Sequence, residues 1–150
     1  MKFTLLFLIG LAFIGLSFKS IENSVSTSSV TSFGSSGIKF DKMTLSKAIK
    51  KAKSTGKLIF IDVYTTWCGP CKEMAATTFQ DSEVGNLFNN KFINLKIDAE
   101  NDADGPTISR VYTISGYPTL LFINGEGKLV KKLVGKQSKE KLLAAVAAMK

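Results

Sequence analysis

The segment Trp67-Cys68-Gly69-Pro70-Cys71-Lys72 contains both cysteines of this 150-residue chain. It comes soon after the apolar run Leu58-Ile59-Phe60-Ile61, whose β-branched and aromatic content is typical of a buried strand. Pro70 suits the first turn of a helix, because its missing N–H would have no partner there in any case. The segment therefore predicts a strand-to-helix junction with Cys68 at the start of the helix.

This position favours a reactive thiol. A cysteine attacks as the thiolate, so its surroundings must lower the thiol pKa from about 8.5. The unsatisfied N–H groups and the positive dipole at a helix start do so, and we expect Cys68 to be the more acidic and more exposed thiol. Cys71 lies one turn later, within reach of a disulfide. Cys68 is therefore predicted to attack a client disulfide, and Cys71 to resolve the mixed disulfide.

The composition excludes several other classes of site. The chain has no histidine, which removes Ser/His and Cys/His nucleophiles and His-ligated metals. The two cysteines alone would supply half of a zinc site, which would need a second chain or carboxylates. A purely structural disulfide between the two cysteines is the other alternative, although a disulfide that closes so short a loop constrains the unfolded chain little. We expect no metal, nucleotide or organic cofactor.

The formal net charge of +8 raises the question of a nucleic-acid partner. The lysines are dispersed, and the densest group falls on one predicted amphipathic helix, at Lys47, Lys50, Lys51 and Lys53. Such a pattern indicates the solvated face of a helix, and no groove-reading motif accompanies it. We therefore expect no nucleic-acid partner.

The first 37 residues are unlike the rest of the chain. Residues 1–17 combine Lys2 with an apolar run and the small residues Gly15 and Ser17, which predicts a signal peptide. The run is shorter than the ~20 residues of a spanning helix, and an uncleaved anchor is the alternative. Residues 18–37 are rich in serine and predict a flexible linker. We expect an exported protein, periplasmic or otherwise extracytoplasmic, with the folded domain at residues 38–150.

The remaining residues predict alternating helices and strands. Thr44, Asp81 and Ser138 are candidate N-caps, and Gly56 is a candidate C-cap. The predicted elements are a helix to residue 55, a strand at 57–64, helices at 70–79 and from 81 to 88, a strand at 92–98, a helix at 106–112, strands at 119–123 and 128–133, and a last helix. A parallel βαβ unit and a hairpin follow. The fold class is α/β, with a central mixed β-sheet flanked by helices.

The segment Trp67–Lys72, after a strand containing Asp62, resembles the active site of the thioredoxin family. Further matches are Gly116-Tyr117-Pro118-Thr119 to the family's cis-proline loop, Asn124-Gly125 to its hairpin turn and Val134-Gly135 to the entry of its last helix. The resemblance covers residues 38–150. Thr78-Phe79-Gln80-Asp81 and Lys96-Ile97-Asp98 resemble exported bacterial thioredoxin-like domains more than small cytoplasmic thioredoxins. The resemblance implies a thioredoxin fold and thiol-disulfide oxidoreductase activity.

The resemblance also implies site residues. Asp62, six residues before Cys68, matches the buried carboxylate beneath the cysteine pair, and its implied role is proton transfer with Cys71. Burial raises the pKa of a carboxyl, which suits it to accept a proton near neutrality. Many thioredoxins carry a lysine near this carboxylate, and the matching position here is Asn94. This match argues against a lysine that shifts the pKa of Asp62.

Pro118 matches the family's cis proline, which faces the cysteines and leaves a backbone edge free for an extended client. The implied substrate-binding surface consists of Trp67, Gly69, Pro70, Tyr117 and Pro118. The implied partners are protein disulfide clients. A reductant outside the cytoplasm would also need a thiol electron donor, which we expect to be membrane-embedded. We expect a monomer.

The dipeptide between the cysteines indicates the direction of exchange. Gly69-Pro70 places no cationic group beside Cys68, so the thiolate is only moderately stabilised and the disulfide is comparatively stable. This predicts a reductant of protein disulfides. The alternatives are a non-enzymatic binding or adaptor module of the same fold, and a peroxidase of related fold. The peroxidase is disfavoured because both cysteines lie in one C-x-x-C.

Overall fold

The computed structural model describes residues 37–149. The predicted signal peptide and all but the last residue of the predicted linker lie outside the described residues. The described elements are, in chain order, α1 (Leu45–Thr55), β1 (Leu58–Tyr64), α2 (Gly69–Ala76), a 3-10 turn (Thr78–Gln80), α3 (Ser82–Lys91), β2 (Phe92–Asp98), α4 (Gly105–Val111), β3 (Thr119–Ile123), β4 (Leu129–Val134) and α5 (Lys139–Ala147).

The four strands form one mixed sheet in the order β2-β1-β3-β4. Strands β1 and β2 are parallel, and β3 is antiparallel to both β1 and β4. The parallel crossover and the hairpin predicted from the sequence are both confirmed. In this register Asp62 lies between Lys96 on β2 and Leu120 on β3.

Local capping explains where most helices begin. The side chains of Thr44, Asp81 and Ser138 each accept a backbone N–H in the first turn of α1, α3 and α5. Gly56 ends α1 with a left-handed φ of 68°, which a glycine adopts without a steric penalty. These four caps are the predicted ones.

The predicted helix at 70–79 is divided in the structure. Helix α2 ends at Ala76, and a 3-10 turn follows from Thr78. At the break, the Thr77 hydroxyl and the Thr77 backbone N–H both donate to the Glu73 carbonyl. Threonine side chains that bond back to the preceding turn compete with regular helical geometry. The prediction of one continuous helix was therefore wrong.

Apolar side chains cover both faces of the sheet, so β1 is buried on both sides. One face packs on α1 and α4 through residues that include Ala48, Ile61, Leu95 and Ile108. The other packs on α2, α3 and α5 and is rich in phenylalanine. On this side the Phe60 ring contacts Phe88 and Phe122, with centroids 4.7 and 5.1 Å away. This double burial accounts for the continuous apolar run of β1 and holds its carboxyl end, from which the cysteine segment leaves.

The chain from Gly37 to Met43 runs along β2 and is called here the N-terminal segment. Its Ile38 N–H donates to the Phe79 carbonyl at 2.7 Å, and its Asp41 N–H donates to the Asn94 carbonyl at 2.8 Å. The segment therefore pairs one backbone group at the outer edge of β2, the Asn94 carbonyl. Within residues 37–149, no helix is long and apolar enough to cross a membrane.

Candidate redox site

The cysteine segment forms the predicted junction between β1 and α2. After Tyr64 the chain turns, and the Cys68 N–H donates to the Thr65 carbonyl at 3.2 Å. Cys68 then takes the N-cap position of α2, with Pro70 in the first helical turn. The Cys71 N–H points at Cys68 Sγ, 3.2 Å away. The sulfur of Cys68 therefore occupies the position where a helix start stabilises an anion.

Cys68 and Cys71 are joined by a disulfide, with 5.3 Å between their Cα atoms. In this oxidised form the two residues are about equally buried, 3% and 2% exposed. The greater exposure and acidity predicted for Cys68 concern the free thiols and stay a prediction.

Asp62 is completely buried on β1. Its Oδ2 accepts a charged hydrogen bond from Lys96 Nζ at 2.6 Å, whereas Oδ1 has no hydrogen-bond partner within the part of the chain that the structure describes. Desolvation raises the pKa of the Asp62 carboxyl, and the charge and hydrogen bond of Lys96 oppose this rise. The net direction is upward, as the resemblance implied.

The expectation that Asn94 takes the place of a lysine partner was wrong, because Lys96 supplies one. Strands β1 and β2 pair so that Lys96 lies directly opposite Asp62, and Asn94 lies opposite Phe60. Asn94 instead donates to the Lys39 carbonyl and to the side chain of Asn89. A shift of two residues along a strand keeps the side chain on the same face, so the lysine reaches the carboxylate from a different position.

Lys96 is held between the buried carboxylate and aromatic rings. Its ammonium lies 4.3 Å from the centroid of the Tyr64 ring, a cation–π contact, and its side chain is 27% exposed. A cavity of about 420 Å³ lies on the outer side of Lys96, lined also by Phe40 and Asp102, and it does not reach the disulfide. The lysine therefore links buried Asp62 to the solvent side of the domain.

A smaller cavity of about 100 Å³ lies beside Cys71. Thr65, Lys96 and Ala75 line it together with Cys71. The cavity thus brings the second cysteine next to the lysine that binds Asp62. This is the structural connection between the disulfide and the buried carboxylate.

An aromatic pair marks the exposed side of the site. Trp67 is 64% exposed, and its ring meets Tyr117 edge to face with centroids 5.8 Å apart. The Trp67 indole N–H donates to both carboxylate oxygens of Glu100 at 3.1 Å. The peptide bond from Tyr117 to Pro118 is cis, and Pro118 is buried. Gly69 and Pro70 are exposed at the start of α2.

Sequence reasoning missed Lys96, Glu100 and Thr65 as parts of this site. A signal for Lys96 was available, because aligning the carboxyl ends of the predicted strands places it opposite Asp62. Glu100 lies in a loop after β2, and no local pattern connects it with Trp67. Thr65 adjoins the cysteine segment but belongs to no recognised motif.

A family model for the thioredoxin-like domain matches residues 45–150. The chain belongs to this family. The thioredoxin fold predicted from the resemblance is therefore confirmed.

The relatives that resemble the chain include proteins named for disulfide exchange. The thiol:disulfide interchange protein DsbD of Colwellia psychrerythraea is 33% identical over 89 residues, which are 59% of this chain and 15% of DsbD. The chain thus matches only a small part of that protein.

Among solved structures, a protein of Bacteroides thetaiotaomicron, described as a proposed disulphide-isomerase, is 43% identical with a TM-score of 0.67; the match covers 75% of this chain and 92% of that one. The thioredoxin of Fasciola hepatica is 27% identical with a TM-score of 0.54, over 71% and 91% of the two chains. Together with the Cys68–Cys71 disulfide, these matches support a thiol-disulfide oxidoreductase.

Proposed function

We propose that this domain is a reductant of protein disulfides outside the cytoplasm, in which Cys68 attacks and Cys71 resolves. The observation that carries the proposal is the position of the Cys68–Cys71 disulfide at the start of α2, above the buried Asp62–Lys96 pair. The exchange activity named for DsbD, and the family that this chain shares with thioredoxins, support the same chemistry.

The first step uses the start of α2. In the reduced protein, the Cys68 thiolate is stabilised by the N–H groups at this end, of which the Cys71 N–H already points at the sulfur. The thiolate attacks one sulfur of the client disulfide, and the other client sulfur leaves as a thiolate. A mixed disulfide joins Cys68 to the client.

The second step uses the buried carboxylate. The Cys71 thiol loses its proton to the ionised Asp62 carboxyl, and the resulting thiolate attacks Cys68 Sγ. The client's second sulfur leaves as a thiolate. The two client thiolates then take two protons from solvent, which balance the proton that Cys68 released on ionising and the proton that Asp62 returns. The client disulfide has become a dithiol, and the enzyme dithiol has become the Cys68–Cys71 disulfide. The raised pKa of Asp62 suits its carboxylate to accept a proton near neutrality.

Client binding is assigned to the surface around the disulfide. Trp67, Gly69 and Pro70 are exposed there, and Tyr117 contacts the Trp67 ring. The cis-proline loop at Pro118 would offer backbone groups to an extended client segment. Glu100 holds the indole of Trp67 in place through its carboxylate. The domain would act on its clients as a monomer.

The direction follows from the residues between the cysteines. Gly69 and Pro70 supply no positive charge to Cys68, so the reduced form is not strongly stabilised and the domain donates electrons. An exported reductant needs a thiol electron donor, and a membrane-embedded carrier would connect it to reducing equivalents inside the cell. The periplasm is the proposed location.

Reduction of insulin tests the activity. The purified domain with dithiothreitol should accelerate insulin precipitation over dithiothreitol alone, and Cys68→Ser should abolish the acceleration. Cys71→Ser should instead accumulate a mixed disulfide at Cys68. A wild-type domain no faster than dithiothreitol would contradict the proposal and favour a non-enzymatic binding or adaptor module.

A further inference from the structure

Thr65 is a buried polar residue at the end of β1, three residues before Cys68. It is only 1% exposed, and its hydroxyl has no hydrogen-bond partner among residues 37–149. Its carbonyl, in contrast, accepts the Cys68 N–H at 3.2 Å. Buried side-chain hydroxyls are nearly always paired, so one of the groups that border this hydroxyl is a candidate partner.

The surroundings of Thr65 identify that partner. Thr65 borders the cavity of about 100 Å³ that Cys71 and Lys96 also line. Lys96 is engaged by Asp62 and by the Tyr64 ring. Cys71 is therefore the group at this cavity whose hydrogen-bonding capacity changes during the proposed reaction.

Reduction creates that capacity. In the disulfide, the Cys71 sulfur carries no proton and is a weak acceptor. After reduction, the Cys71 thiol can donate to the Thr65 oxygen, and the Cys71 thiolate can accept from the Thr65 hydroxyl in a charge-assisted hydrogen bond.

We propose that Thr65 is a positioning residue for Cys71, whose sulfur its hydroxyl binds in the reduced protein. The inference rests on the proposed function, in which Cys71 resolves the mixed disulfide. The hydroxyl orients the thiol and stabilises the thiolate, while the proton passes to Asp62; Thr65 itself neither gains nor loses one. This hydrogen bond lowers the pKa of the Cys71 thiol and favours the reduced pair.

Other groups near Cys71 also carry charge or titrate, and the test must separate them from Thr65. On its own element these are Cys68 and Lys72, and from the sheet they are Tyr64 and Lys96, with Asp62 behind Lys96. A change from Thr65 to Val leaves all of them in place. Valine keeps the branched shape of threonine and removes only the hydroxyl.

The experiment compares Thr65→Val and Thr65→Ser with Thr107→Val, a matched control at an exposed threonine of α4 that does not line this cavity. In the reduced full chain, the Cys71 pKa is measured from the ¹³Cβ shift of labelled cysteine. The thiol–disulfide equilibrium is measured against dithiothreitol. Thr65→Val should raise the Cys71 pKa and shift the equilibrium about fivefold toward the disulfide, as expected for the loss of one net hydrogen bond. That shift corresponds to about 20 mV.

Thr65→Ser should restore both values, and Thr107→Val should match wild type. An unchanged Cys71 pKa in Thr65→Val would overturn the inference, as would failure of serine to restore it. Urea unfolding verifies that the variants fold, and Thr65→Ala provides a second hydroxyl deletion if valine does not fit. Both readouts are independent of turnover. Failure of wild type in the insulin assay would therefore count against the proposed function, and not against this contact.

Discussion

Asp62 places an ionisable carboxyl in the interior of the domain, where only one of its two oxygens has a hydrogen-bond partner among residues 37–149, namely Lys96. Desolvation raises its pKa, and Lys96 limits the rise. The same balance sets both the stability of the fold and the proton affinity that the proposed second step needs. This balance should make both the stability of the protein and the resolution step depend on pH.

The first prediction concerns stability. The folded pKa of Asp62 lies above its unfolded value of about 3.9, so the folded state binds the proton more tightly. The contribution of Asp62 to the free energy of unfolding therefore falls as pH rises from about 3.9 through the folded pKa. Asp62→Asn has no ionisable carboxyl at this position, so its free energy of unfolding does not fall in this way. In urea unfolding of the oxidised protein, the stability of the variant relative to wild type should increase with pH across that window.

Asp81 provides a control of opposite sign. Backbone N–H groups of α3, that of Val84 first, lower the pKa of its carboxyl. Its stabilisation is present above about pH 3.9 and is lost as pH falls through the folded pKa, so Asp81→Asn should lose stability relative to wild type as pH rises there. A pH-independent difference between Asp62→Asn and wild type would contradict the assigned burial of the Asp62 charge.

The second prediction concerns the chemical step. Because Lys96 lowers the pKa of Asp62, Lys96→Met should raise that pKa further and move the pH dependence of mixed-disulfide resolution to higher pH. Asp62→Asn should slow resolution more than the initial attack. Rapid-quench single-turnover kinetics separates the two steps. Lys91→Met, at an exposed lysine ending α3, is the matched control, and a Lys96→Met profile that coincides with it would disprove the coupling.

At the scale of elements, the features that could be predicted were the local ones. The caps at Thr44, Asp81 and Ser138 depend on side chains within one helical turn, and sequence spacing shows them. The β1–β2 register depends on pairing between residues 34 positions apart in the chain, as for Asp62 and Lys96. The resemblance therefore suggested Asn94, although the sheet places Lys96 beside the carboxylate.

In the candidate site too, some residues could be predicted from the sequence and others could not. Cys68 and Cys71 could be predicted from one short segment, and Asp62 and Pro118 from the family resemblance. The contacts of Trp67 with Glu100 and of Thr65 with the cavity at Cys71 depend on how loops meet after folding. No spacing rule within one element encodes such contacts.

The N-terminal segment offers a test at this scale. The Asn89 side chain accepts the Lys39 N–H at 2.8 Å, donates to the Gly37 carbonyl at 3.1 Å and accepts from the Asn94 amide at 3.2 Å. Asn89→Ala should therefore loosen the segment from β2 and cost about 1–3 kcal/mol of stability, because three hydrogen bonds are lost, one of them from the buried Asn94 amide.

Asn90→Ala is the matched control, since this neighbour on α3 is exposed. Urea unfolding should show a loss for Asn89→Ala well above that for Asn90→Ala. Hydrogen exchange at the Asp41 N–H should also become faster. Equal stability of the two variants would show that the Asn89 contacts do not hold the segment.

At the scale of the whole molecule, location depends on residues 1–17, whose charged start and apolar run predict export. Cell fractionation with mass spectrometry of the mature N-terminus tests this. A periplasmic protein lacking residues 1–17 is expected. An intact Met1 in the membrane fraction would favour the anchored form, and recovery from the cytoplasm would contradict export.

The direction of electron flow is also a property of the whole molecule, because export alone does not decide whether a thiol–disulfide couple acts as an oxidant or a reductant. The absence of a positive charge at Gly69-Pro70 predicts a stable disulfide and a reducing couple. Equilibration of the full chain with glutathione and dithiothreitol buffers measures the potential of the Cys68–Cys71 pair directly. A value near about −270 mV is expected for a reductant, and a value above about −180 mV would contradict that role.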